Sequence, residues 1–149
     1  MSKIIIGCDP DSSKSGFSFY INGMLAELDC ISLIDFYYRL DNFCEKYGES
    51  NIELHMENVK GVSGIFSQRT AGKNKGIALK MAQSVGMCKQ VQTEIERIAE
   101  YLNVKVVHHQ VSKMWKKEKA QFEKLTGWTG RSNEDSRSAA YFGYLGTKP

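Results

Sequence analysis

Four carboxylates in this 149-residue chain stand where a fold could gather them. Asp9 follows the apolar run Ile4-Ile5-Ile6-Gly7-Cys8, which reads as a buried strand, and acids are depleted in strands. Glu57 closes the alternating stretch that begins at Ile52, and Glu134 with Asp135 opens the last helical stretch. Acids fixed at element termini are rigid oxygen donors, which hard divalent cations such as Mg²⁺ or Mn²⁺ require. Two such ions about 3.5–4 Å apart can activate a water and stabilise the leaving oxygen of a phosphodiester. Asp9, Glu57, Asp135 and Glu134 are therefore the candidate catalytic and metal-ligating set, with two ions per site. Each acid also has a plainer explanation. Asp9-Pro10-Asp11-Ser12 has turn chemistry, Glu57 could alternate outward, and Ser132-x-x-Asp135 reads as a capping-box variant. His55 reads as a neighbour of Glu57, and His108 and His109 are left unassigned.

The charge pattern suggests what such a site would act on. The net charge is only +3, but it is unevenly spread. Residues 1–57 carry four basic and ten acidic side chains, whereas residues 58–92 carry six basic and none acidic. Residues 105–131 carry seven basic and two acidic side chains. Two basic segments beside an acidic half suggest a face for a polyanion, with nucleic acid the leading class. The candidate contacts are Lys60, Phe66, Arg69, Lys73 and Lys75 in the first segment, and Lys113, Lys116, Lys117, Lys119 and Arg131 in the second. Phe66 sits in a Gly- and Ser-rich stretch soon after Glu57, where an aromatic could wedge against an opened base. Trp115 and Trp128 are expected to anchor helices to the sheet.

These residues need elements to hold them. Residues 3–9, 15–21 and 24–30 read as a three-strand meander, with the hairpin dipeptide Asn22-Gly23 between the second and third. Leu33, Phe36, Tyr37, Leu40, Phe43 and Tyr47 have helical spacing, and Gly48 is placed to stop that helix. In the fourth strand Ile52, Leu54 and Met56 face one way and Glu53, His55 and Glu57 the other. A loop follows, then a long helix from Asn74 to Tyr101 with the stripe Ile77, Met81, Val85, Cys88, Val91, Ile95 and Ile98. A fifth strand over 103–109, a basic amphipathic helix over 111–127 and a short last helix complete the chain. This order predicts an α/β fold: a mixed five-stranded sheet with helices on both faces.

The composition, 42% hydrophobic and 25% charged, is that of a globular domain, and residues 1–149 are expected to form one. No apolar run is long enough for a membrane span and no signal-peptide pattern opens the chain, so a cytoplasmic protein is expected. The four cysteines, Cys8, Cys30, Cys44 and Cys88, form no C-x-x-C pair and are expected to be reduced thiols.

The ordered set of motifs resembles the RuvC-type Holliday-junction resolvases of the ribonuclease H-like superfamily. Asp9-Pro10-Asp11-Ser12-Ser13-Lys14-Ser15-Gly16 resembles the family's Asp-Pro-Gly-x-x-x-x-Gly, with Asp11 where glycine is usual. "LHMENVKG" resembles the strand-four glutamate motif, "GIALKMAQSVGMC" the helix after the substrate loop, and "VVHHQVSKMWKK" the segment before the last motif. The resemblance implies a metal-dependent endonuclease in which Asp9 bridges two ions and Glu57 and Asp135 complete one each. It implies cleavage of branched DNA to a 3′-hydroxyl and a 5′-phosphate by a homodimer in a bacterial or phage-infected cell. The departure lies in the last motif. Where the family has Asp-x-x-Asp, this chain has Asp135-Ser136-Arg137-Ser138, so a hydroxyl replaces the second acid unless Glu134 compensates.

Three other readings share these features. One is a ribonuclease H-like nuclease for RNA or simple DNA. The second is a non-catalytic binder of branched nucleic acid, which Ser138 makes plausible. The third, an actin-like phosphate-binding module, would need a second lobe and a second glycine-rich phosphate loop.

Overall fold

The computed structural model describes residues 2–61 and 75–149. Phe66, Arg69 and Lys73, and the expected helix start at Asn74, lie outside the described residues. The elements are β1 (Ile4–Asp9), β2 (Ser15–Ile21), β3 (Met24–Ile31), α1 (Leu33–Tyr47), β4 (Ile52–Glu57), α2 (Lys75–Tyr101), β5 (Lys105–His109), α3 (Lys119–Thr126) and α4 (Glu134–Thr147). They form one five-stranded sheet in the order β3-β2-β1-β4-β5. The meander strands pair antiparallel, whereas β1–β4 and β4–β5 pair parallel. The expected mixed sheet is present. Asn22 and Gly23 both take positive φ, 50° and 84°, which matches the twist a two-residue hairpin needs.

Strand alternation assigns the two faces. Ile4, Ile6 and Cys8 of β1, Phe17 and Phe19 of β2, and Leu54 and Met56 of β4 meet Phe36 and Leu40 of α1 and Ile95 and Ala99 of α2 in the main core. The helix α1 starts on Ser32, whose hydroxyl accepts from the Asp35 N–H, and stops at Gly48 with φ +85°.

The opposite face carries α4, which lies almost on the backbone of the sheet. A Cβ at Gly7 would come within 2.0 Å of the Ala139 carbonyl oxygen, and one at Gly16 within 2.1 Å of the Asp135 carbonyl oxygen. Ser18 Oγ donates to the Ala139 carbonyl (2.9 Å) and Tyr20 Oη to that of Ala140 (2.7 Å). A smaller cluster of Trp115, Phe122 and Ala140 joins α3 to α4.

Three local expectations are corrected. The stripe of α2 is only half used: Ile95, Ala99 and Ile98 pack on the sheet, whereas Ile77 is 46% exposed. A helix of 27 residues is about 40 Å long and a six-residue strand about 20 Å, so the first turns of α2 extend past the sheet. The basic helix expected over 111–127 begins only at Lys119, because the segment before it folds as a turn with Trp115 at φ +69°. Burial of the Trp115 indole against Phe122, Tyr141 and Tyr144 outweighs helical propensity there. The cap of α4 is Asn133 with Ser136 as its capping-box partner, not Ser132 with Asp135. Asp135 is thereby left free of the capping role.

Gly7→Ala is expected to cost more than about 2 kcal/mol in urea denaturation, since the obstruction is backbone that cannot rotate away. Gly86→Ala, where an added Cβ meets nothing within 4 Å, is expected to gain about 0.5–1 kcal/mol through helix propensity.

Candidate active site

β1 and β4 run parallel with Cys8 beside Met56. The next residue on each strand is an acid. Asp9 and Glu57 therefore lie together at the C-terminal ends of two central strands, on the face that α4 covers, where open α/β sheets place their sites. Each is only 5% exposed. The third acid arrives through a glycine: Gly16 is the cross-strand partner of Asp9, and its bare Cα admits the Asp135 carbonyl at the start of α4. A cleft of about 300 Å³ opens here, lined by Asp9, Asp11, Glu57 and Asp135. Lys113 and Lys116 border it, and Met81, Val85 and Cys88 of α2 form an apolar wall.

The electrostatics are those of acids crowded out of water. Burial first, and the nearby Glu57 carboxylate second, push the Asp9 carboxyl up to about 8. Lys116 and the Ser138 hydroxyl oppose this, though the Ser138 oxygen makes no hydrogen bond of normal geometry. Asp135 is also raised, by burial and then by the charges of Asp9 and Asp11. Asp9 Oδ2 is buried without a hydrogen-bond partner, and the Lys116 ammonium stands 3.7 Å from it. Glu57 Oε1 accepts from the Ser112 N–H at 3.3 Å. An orphaned carboxylate oxygen beside a second buried acid is an arrangement that a divalent cation would relieve. Asp9 and Glu57 are the pair that would hold such an ion, and Asp135 lines the same cleft. Among the described residues no three acid, His or Cys side chains already converge as a finished ligand set.

No protein-family model and no curated protein matches the chain by sequence. Its backbone is similar to Thermus thermophilus RuvC in complex with a Holliday junction substrate, with TM-score 0.60 and 10% identity over 95% of this chain and 90% of that one. A second Thermus thermophilus RuvC structure matches with TM-score 0.56, again at 10% identity over 95% and 90% of the two chains. The fold is RuvC-like.

On this RuvC-like frame the other candidates separate. Glu134 does not line the cleft: it is exposed and pairs with Lys117 at 3.0 Å, which lowers its pKa. Lys60 pairs with Glu96, which also accepts from His108 at 2.6 Å. Lys75, Lys119 and Arg131 are exposed, while among the described residues Lys113 and Lys116 are the basic side chains on the cleft itself. His55 turns away from Glu57 and bridges His109 (2.8 Å) and Glu53 (3.0 Å). The four cysteines are free thiols. Among the described residues no helix is long and apolar enough to cross a membrane.

Two structural supports escaped the sequence reading. Gln92, fully buried, accepts from the Val59 N–H (2.8 Å) and the Lys60 N–H (3.2 Å) and donates to Asn58 (3.0 Å). It thereby fixes the chain as it leaves Glu57. Arg137, also buried, binds the turn that carries Lys116. A polar residue on the buried stripe of α2 was the available signal for the first; nothing local marked the second.

Asp9 ionises near 3.8 when unfolded and near 8 when folded. In EDTA, its destabilising effect is absent below the lower value, grows between the two and is complete above the upper one. Asp9→Asn is accordingly expected to raise stability at pH 8 by about 2 kcal/mol or more and to lose that advantage near pH 4, as read by urea denaturation.

Proposed function

We propose that this protein is a divalent-metal-dependent, structure-specific endonuclease that cleaves branched DNA, with the four-way junction as its preferred substrate. The carrying observation is the buried pair Asp9 and Glu57, with an orphaned Asp9 oxygen, on a cleft edged by Lys113 and Lys116. The RuvC-like fold supports the substrate class, since the similar Thermus thermophilus protein is in complex with a Holliday junction substrate.

In this reading Asp9 and Glu57 would hold one Mg²⁺ or Mn²⁺, and Asp9 with Asp135 a second. When bound, the ions supply water activation and stabilisation of the leaving oxygen. The chain's own part is to bind and orient. Lys113 and Lys116 take phosphate oxygens, which positions the strand without reading its sequence. The N-terminus of α4 adds the positive end of a helix dipole beside the acids. The Met81 and Val85 wall limits water on the side facing α2. Glu134, paired outward with Lys117, is a less direct candidate than Asp135. Two symmetrical nicks in one junction require two such sites, and a homodimer supplies them. The exposed apolar side chains Leu79 and Met87 on α2 suit its interface.

A second reading has its own support. Ser138 is 1% exposed and stands one helical turn after Asp135, so this position offers a hydroxyl and no charge. A chain short of one acid could bind junctions without cutting them.

The deciding experiment incubates labelled four-way junction, flap, RNA–DNA hybrid and linear duplex with Mg²⁺, Mn²⁺ or EDTA. Paired symmetrical nicks in the junction, lost in EDTA and in Asp9→Asn, are the expected result. Junction binding without cutting under either metal would establish the second reading. Equal cutting of hybrid or linear duplex would reassign the substrate. Excess Mg²⁺ is further expected to raise Tm of the wild type by several degrees and to leave Asp9→Asn nearly unmoved. Ser138→Asp is expected to lower Tm in EDTA and to enlarge the shift that Mg²⁺ produces.

A further inference from the structure

Arg137 is a buried cation bonded to neutral oxygens. Only 8% exposed, it lies on α4 between Asp135 and Ser138. Its Nε donates to the Trp115 carbonyl (3.0 Å), its Nη2 to the Lys116 carbonyl (2.7 Å) and its Nη1 to Ser132 Oγ (2.9 Å). Burying a guanidinium is costly unless its donors are met, and its planar fork is rigid. Two successive carbonyls meet that fork here, and Trp115 itself takes φ +69°, so the chain turns just before them. The Trp115 N–H is held as well, by Glu118 Oε2 at 2.6 Å. The turn over Trp115 and Lys116 is thus clamped from α4, the helix that carries Asp135.

The clamp has one outward product. From the fixed turn, the Lys116 side chain, 29% exposed, reaches into the cleft and brings its ammonium 3.7 Å from the orphaned Asp9 Oδ2. A lysine on a free loop would spread its charge through solvent over many rotamers. This one is aimed.

We propose that Arg137 is a positioning residue: by holding the carbonyls of Trp115 and Lys116 it aims the Lys116 ammonium at Asp9, beside the oxygen a divalent cation would occupy. Lys116 then acts as a resident counter-charge beside the oxygen that a cation would bind. This inference rests on the reading that Asp9 and Glu57 hold a divalent cation. It goes beyond that reading in making cation affinity depend on Arg137 through Lys116.

The test measures Mn²⁺ binding without DNA, following the free Mn²⁺ signal by electron paramagnetic resonance, on folded protein checked by urea denaturation. Lys116→Met is expected to bind Mn²⁺ about tenfold tighter, the scale set by removing a unit charge about 4 Å from a ligand oxygen. Arg137→Lys, which cannot span both carbonyls, is expected to tighten binding several-fold. The double variant is expected to match Lys116→Met alone. If Arg137→Lys does not fold, Ser132→Ala replaces it, removing one acceptor, with a smaller shift in the same direction expected. Saturable binding that is equal in wild type and Lys116→Met overturns the inference and leaves the cation site standing. Tighter binding in Lys116→Met with independent, additive effects from Arg137→Lys, or with no shift in the replacement variant, overturns the role of Arg137. No binding by any chain overturns the cation site and the inference together.

Discussion

The structure depends on how closely α4 approaches the sheet. Side chains normally hold a helix about 10 Å from a sheet, but at Gly7 and Gly16 the strands present no Cβ, and the carbonyls of Ala139 and Asp135 occupy that space. The hydroxyls of Ser18 and Tyr20 then bond helix carbonyls directly. This contact sets the depth of every residue on α4. Asp135 reaches the cleft, Ser138 is buried beside Asp9, and Arg137 comes within reach of a turn more than twenty positions earlier in the chain.

The same contact creates the electrostatic cost on which the proposed chemistry would draw. α4 covers the face of the sheet that bears Asp9 and Glu57, so both acids lose water while remaining neighbours. Burial and mutual repulsion favour a proton on Asp9, and a cation would relieve both. Folding tolerates the arrangement because the main core lies on the other face, where Ile4, Ile6, Leu54 and Met56 pack against α1 and α2.

Support for the cleft comes from residues that do not line it. Gln92 fixes the exit from β4, Gly16 admits α4, and Arg137 clamps the turn at Trp115. Each is buried or confined, and each acts through backbone atoms. Surface lysines on the same frame are partly neutralised by local acids, Lys60 by Glu96 and Lys117 by Glu134, so the charge count of a segment overstates what faces the cleft. Among the described residues Lys113 and Lys116 remain as its basic border.

Much of the frame was legible in the amino-acid sequence because it rests on local periodicity. Alternation marked β4 and put Glu53, His55 and Glu57 on one face; Asn22-Gly23 marked the hairpin; Gly48 marked the end of α1. The order of elements implied a mixed sheet, and the acids at the ends of β1 and β4 were visible as a pair to be explained. Periodicity does not measure where a helix meets its sheet, so the unused half of the α2 stripe was not visible. Nor does it show that a tryptophan will be buried at the cost of its own helix, that Asn133 will cap in place of Ser132, or that Glu134 will turn to Lys117 while Asp135 enters the cleft. The sequence by itself determined which acids are available and which strands carry them. Only the tertiary structure decided which of them lose water together, because burial and close approach arise from contacts between residues far apart in the chain.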